Sequence, residues 1–111
     1  MKKIITAKKF FLYKTVSNEI FSQLLTLEQE FPHLTSTRIV LHHQKGTFSG
    51  EMVVNGRKIH IIAKAQGKVL LSVIDDMIQN AGTQIRKRKE KKKYTKRKGV
   101  SAIEQYIQYH S

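Results

Sequence analysis

The chain has 111 residues, 40% of them hydrophobic and 26% charged, and carries a formal net charge of +13. That length and balance suit one globular domain with one core and exclude a disordered chain, while a pI near 10.2 points to a polyanionic partner and says nothing of fold. Cysteine is absent, which excludes disulfide frameworks and thiolate metal sites.

At the N-terminus Met1-Lys2-Lys3 begins like a signal peptide, but the apolar stretch is only Ile4-Ile5 before Lys8-Lys9 interrupts it. Neither an export signal nor a membrane span is therefore expected, and the protein reads as cytoplasmic. Lys3-Ile4-Ile5-Thr6 predicts a short strand. From Lys14 to Phe31, Val16, Ile20, Leu24, Leu27 and Phe31 recur at three- and four-residue steps, which predicts one apolar helix face stopped by Pro32. Thr37 to Gln44 alternates, with Ile39 and Leu41 on one face and Arg38, Val40 and His42 on the other, as in a half-buried strand.

Gly46 marks the next turn. Phe48 to Val54 and Arg57 to Ala65 predict two more strands joined by Asn55-Gly56, a dipeptide suited to the positive φ angles of a type I′ hairpin turn. On the last strand Ile59, Ile61, Ala63 and Ala65 form the expected core face, leaving Lys58, His60, Ile62 and Lys64 outside. After Gly67 helical spacing returns in Leu70, Val73, Ile74, Met77, Ile78, Ala81 and Ile85, and that segment runs straight into a basic block. The helix should therefore dock by its first half and project its second.

The expected class is α+β, in the order β-α-β-β-β-α: a four-stranded mixed sheet with two helices on one face. A right-handed helical crossover makes the first two strands parallel, and the rest form an antiparallel meander. Residues 1–94 are expected to form the folded domain and residues 95–111 a basic and amphipathic tail. In that tail Gly99 is placed to end the second helix. Ser101 and Glu104 have capping-box spacing, and Ile103, Tyr106 and Ile107, with His110 a turn on, share one stripe.

The basic block is the strongest functional signal. From Arg86 to Lys98, ten of 13 residues are Lys or Arg and only Glu90 opposes them, a net +9 of the total +13. A few cations would serve the negative end of a helix dipole, but ten repel one another too strongly for that to account for them. An anionic membrane competes as partner, yet Tyr94 is the only apolar anchor in the run and no lipidation motif accompanies it. A nuclear import signal would explain the run and nothing else. Structured RNA is the leading candidate.

Residues 37–65 contain Phe48 as their only Phe, Tyr or Trp, so stacking of single-stranded bases on the open sheet face is not expected, and recognition by shape and phosphate is. His42 and His43 are adjacent on a strand and point to opposite faces. His60 could approach His42 across the sheet, but no carboxylate is placed to complete a metal site. Asp75 and Asp76 sit one turn into the second helix, where carboxylates favour the dipole. No phosphate loop, nucleophile elbow or Ser/His/Asp arrangement is present, so neither an enzyme nor a cofactor is expected.

In Ile5-Thr6, Leu27-Glu28-Gln29 with Phe31, Val54-Asn55-Gly56 followed by Ile59-His60, Ile74-Asp75, and Gln84-Ile85 with Lys87, Lys89 and Lys91, the chain resembles the short bacterial hibernation-promoting factors and ribosome-associated inhibitors. The similarity covers about residues 1 to 93. Members usually place an Asp and a Tyr where this chain has Val69 and Leu71, and a Thr or Ser cap where Tyr13 stands. The resemblance implies binding to the small ribosomal subunit, in the channel for messenger and transfer RNA, and silencing of translation by steric occlusion when growth stops. It implies a monomer contacting rRNA, with no small-molecule substrate and no membrane. The expected principal phosphate contacts are Arg86, Lys87, Arg88, Lys89, Lys91, Lys92 and Lys93, with Lys58, Lys64 and Lys68 secondary.

Overall fold

A parallel pair made by strands β1 (Lys2–Lys8) and β2 (Leu34–Gln44) is possible because helix α1 (Lys14–Glu30) carries the chain back between them. Strands β3 (Thr47–Gly56) and β4 (Ile59–Gly67) follow as antiparallel hairpins, giving the order β1-β2-β3-β4, and helix α2 (Leu70–Val100) closes the fold. The computed structural model describes residues 1–100, with side chains through Arg88. The expected α+β class, element order and mixed sheet are those observed.

Period-two burial sorts the sheet into two faces. Ile39 and Leu41 of β2, Met52 and Val54 of β3, and Ile61 and Ala63 of β4 are buried, with Ile5 of β1 partly so. They pack against Ile20, Leu24 and Leu27 of α1 and Ile74, Met77, Ile78, Ala81 and Ile85 of α2, so both helices cover one face. α1 ends where Phe31 donates its backbone N–H to the Leu27 carbonyl at 2.9 Å, one residue before Pro32 forbids another turn. α2 has to come close to the sheet, and Gly50 permits it: a Cβ there would stand 2.9 Å from Met77 Sδ and 3.1 Å from Leu41 Cδ2.

Two boundaries differ from the sequence pattern. β2 begins at Leu34 rather than Thr37, because a register shift between Leu34 and Ser36 breaks the alternation that marks a strand while keeping both Leu34 and Thr37 buried. The β3–β4 hairpin forms, but its turn is Arg57-Lys58 rather than Asn55-Gly56, which pair with His60 and Ile59. Lys58 supplies the left-handed residue, at φ 59°. Asn55 is engaged elsewhere, its Nδ2 donating to Ser36 Oγ at 3.3 Å and its Oδ1 lying 2.6 Å from His60 Nδ1. Gly56 serves a close approach, since a Cβ there would meet the His33 carbonyl oxygen at 2.9 Å and Leu34 Cα at 3.1 Å. The turn with positive φ at both central residues is Lys45-Gly46, at 52° and 75°.

α2 runs one residue beyond Gly99, to Val100; the tail helix expected from Ser101 onward lies outside the described residues.

Gly56→Ala forces backbone to move, and is expected to cost about 1–3 kcal/mol in a urea unfolding titration. Lys58→Gly, which relieves a left-handed lysine at some cost in chain entropy, should stay within about 1 kcal/mol of the parent. A Gly56→Ala variant as stable as the parent would show that His33 and Leu34 do not constrain Gly56.

A second expectation concerns acid. Glu28 accepts a 2.6 Å hydrogen bond from the Met1 ammonium and a 2.9 Å ion pair from Lys3, and these partners, the ammonium first, hold its carboxyl below the ordinary glutamate range. A carboxyl whose pKa is lower folded than unfolded stabilises the fold above the unfolded value of about 4.3, and that contribution is lost as pH falls through the folded pKa. Glu28→Gln should therefore flatten the acid limb of melting temperature against pH below about 5 while leaving its slope near neutrality unchanged.

Candidate nucleic-acid interface

α2 owes its course to three kinds of contact. Its apolar stripe seats on the sheet as far as Ile85. Along the outer edge of β4, Asn80 Nδ2 donates to the Lys64 carbonyl at 3.4 Å and Gln84 Nε2 to the Ile62 carbonyl at 3.1 Å. One helical turn thus matches two strand residues, and backbone acceptors at an open edge are occupied. The third contact is Arg86, whose Nε and Nη2 donate to the two carboxylate oxygens of Glu30 at 2.8 and 2.9 Å. Its guanidinium carbon lies 5.7 Å from the Phe31 ring centre. This fork-to-fork geometry raises the Arg86 pKa above its ordinary value, chiefly through the hydrogen bonds it donates to Glu30.

Arg86 was expected to grip phosphate directly, and in the structure it ties the start of the basic block to the end of α1. Lys87 and Arg88 follow with exposed side chains. The α2 backbone continues through Lys89, Lys91, Lys92 and Lys93, whose side chains lie outside the described ones. The helix runs 15 residues past its last core residue, Ile85, to Val100. At 1.5 Å per residue that is a rod of about 20 Å carrying the basic block beyond the body.

The secondary candidates are not all brought together. Lys58, exposed in the β3–β4 turn, lies at the end of the sheet from which α2 projects. Lys64 lies midway along the edge strand β4 on the open face, its Nζ 3.7 Å from Glu51 Oε2 in an exposed pair of little energetic weight. Lys68 sits between β4 and α2, at the opposite end.

The open face holds further cations missing from the sequence-derived site. Lys2 and Lys8 of β1 and Arg38 of β2 are exposed there, and the pairing register sets them in rows with Ser36, His42 and Ile4 respectively. Their signal was the strand period combined with the parallel register, and a lone short strand does not reveal the latter. Of the six described acidic side chains, five belong to the helices and only Glu51 to the open face, so that face is the more attractive to an anion.

The histidines make no common site. His42 pairs opposite Ser49 and His60 opposite Asn55, six residues apart along β3, a separation of about 20 Å. His60 therefore does not approach His42. His43 stacks on Phe48 at 4.2 Å between ring centres. Asp75 accepts a 2.9 Å hydrogen bond from Gln23 Nε2 and so joins α2 to α1. Among the described residues no three His, Cys, Asp or Glu side chains group as a metal site, and no helix is long and apolar enough to cross a membrane.

A family model described as "Sigma 54 modulation protein / S30EA ribosomal protein" matches residues 4–93. Among solved structures, a ribosomal subunit interface protein from Coxiella burnetii superposes with a TM-score of 0.75 at 17% identity, over 81% of this chain and 99% of that one. The N-terminal domain of Thermus thermophilus Protein Y gives 0.72 at 14% identity, over 78% and 98%. At these identities the likeness establishes a shared fold. Comparison with curated protein sequences gives no match.

If Arg86 and Glu30 act as a pair, Arg86→Gln and Glu30→Gln should each lower the melting temperature, and the double variant should lose less than the two losses added together. Lys87→Gln with Arg88→Gln should leave the melting curve in place. Strict additivity of the first two would show that the fork contributes no coupling.

Proposed function

The chain belongs to the Sigma 54 modulation protein / S30EA ribosomal protein family, and from that membership we propose that it is a ribosome hibernation factor. In this reading it occupies the messenger and transfer RNA channel of the small subunit and inhibits translation by steric occlusion, without catalysis and as a monomer. The observation that carries the reading is the second half of α2: a helix fixed by its core stripe and by the Arg86–Glu30 fork, then continuing into nine further cations opposed by one acid. Charges held in place before contact lose less entropy on binding than charges on a loose tail. Lys87, Arg88, Lys89, Lys91, Lys92 and Lys93 are the proposed phosphate contacts, with Lys58 beside them, Lys64 and Lys68 peripheral, and Arg86 aligning the rod. The fold offers the expected shape for such a role, a rigid body with a charged arm, and needs no cofactor to act by occlusion.

Co-sedimentation with small subunits, naked RNA and anionic vesicles in parallel tests the partner. Retention by small subunits well above the other two supports the reading, and equal retention by naked RNA would reduce it to a general RNA-binding module. About six phosphate contacts should give a log–log salt slope of magnitude about 4 to 5. Lys87→Glu with Lys89→Glu is expected to abolish subunit binding and to leave the melting curve near that of the parent. Tight binding indifferent to salt would overturn the phosphate mechanism.

A further inference from the structure

Between β1 and α1 the chain carries Phe10, Phe11, Leu12 and Tyr13 in a row, and the structure sends them in two directions. Lys9, at φ 69°, turns the backbone out of β1. Phe10 points inward, its ring meeting Phe48 edge to face at 5.3 Å and His43 at 6.3 Å. Leu12 packs against the core. Phe11 and Tyr13 fall on the other side and remain 74% and 65% exposed, the two largest exposures among the described large hydrophobic side chains. Their rings meet edge to face, 5.0 Å apart and inclined at 79°, which leaves ring faces open to water. Tyr13 occupies the N-cap of α1 but makes no side-chain capping bond, so capping does not explain it. Three lysines, Lys8, Lys9 and Lys14, stand within this seven-residue stretch, and no acid occurs before Glu19.

We propose that Phe11 and Tyr13 form a stacking platform for an unpaired RNA base, whose flanking phosphates are met by Lys8, Lys9 and Lys14. The proposal rests on RNA being the partner, as above, and adds a second contact at the end of the fold opposite the basic half of α2. Inward anchors at Phe10 and Leu12 hold the two outward rings in place, so little ordering remains to be done on binding. Aromatic faces accept any base, and neighbouring cations on a phosphate backbone complete the usual chemistry of single-strand recognition. The open sheet face lacks such rings; the loop supplies them. An apolar protein surface would leave three lysines without a purpose, which is why a polyanion is the favoured occupant.

The chain has no tryptophan, so Phe11→Trp introduces a single reporter. A short single-stranded RNA should quench its fluorescence, and an abasic strand of the same length and charge should not. In binding titrations the parent and Phe11→Trp should prefer the base-bearing strand by about tenfold or more, and Phe11→Ala with Tyr13→Ala should lose that preference while holding the abasic strand as before. An unchanged melting curve for the alanine variant confirms that the fold is intact. Absence of quenching, or an alanine variant that keeps the preference, overturns the platform. So does a blue shift on phosphatidylcholine–phosphatidylglycerol vesicles without quenching by RNA, which would assign the rings to lipid. Co-sedimentation of the parent with small subunits, run alongside, separates the two failures: subunit binding without quenching removes the platform alone, and quenching without subunit binding removes the ribosomal reading alone.

Discussion

Helix α2 meets the sheet along one stripe, Val73, Ile74, Met77, Ile78, Ala81 and Ile85, all buried. Each of these side chains but Ala81 contributes on the order of 1.5–3 kcal/mol on burial, more than an exposed ion pair, so this stripe fixes the axis of the helix. The sheet accommodates it by omission: Gly50 leaves room for Met77 on β3. Asn80 and Gln84 then fix the rotation of the helix against β4 by occupying its edge carbonyls. Everything beyond Ile85 inherits its direction from contacts made before it.

The polar contacts divide into those that build the body and those available to a partner. Lys3 and the Met1 ammonium meet at Glu28, joining β1 to α1, and Arg86 meets Glu30, joining α1 to α2. Gln23 links Glu19 and Asp75 across the two helices. Four of the five described acids of the helices, Glu19, Glu28, Glu30 and Asp75, are thus engaged within the body. The cations that remain exposed lie on the open sheet face, along the early basic block, around the β1–α1 loop and in the turns that hold Lys45, Arg57, Lys58 and Lys68. A polyanion approaching this molecule meets a long positive front at both ends of the body, and the front is held by a core that contains no charged side chain among the described residues.

Most of the architecture was legible because the residues that decide it are local. Val16 to Phe31 has no strand-like reading, Pro32 ends it, and the alternation of Ile39 with Leu41 and of Ile61 with Ala63 separates the faces without reference to any neighbour. The misplaced turn shows where local reading stops. Asn55-Gly56 has the composition of a tight turn, but Gly56 is required by the approach of His33 and Leu34, and Asn55 by bonds to Ser36 and His60. Apart from the His60 bond, five residues on, these are contacts between residues some 20 positions apart in sequence. Arg86 was likewise legible as a cation and not as a clamp, since its partner Glu30 lies 56 residues away.

The aromatic loop marks the same limit from the other side. Four consecutive large apolar residues stand between a strand and a helix, and two of them, Phe10 and Leu12, pack against the core. The left-handed turn at Lys9 sets the phase, and the cluster of His43 with Phe48 admits only Phe10. Phe11 and Tyr13 are then exposed by their neighbours: Phe10 and Leu12 are anchored inward on either side of Phe11, and Tyr13 follows Leu12 at the start of α1. Their exposure is therefore as firmly fixed as the burial of Phe10. A ring displayed by a rigid scaffold next to lysines differs from an apolar residue stranded on a surface, because the contacts that hold it are the same ones that close the core.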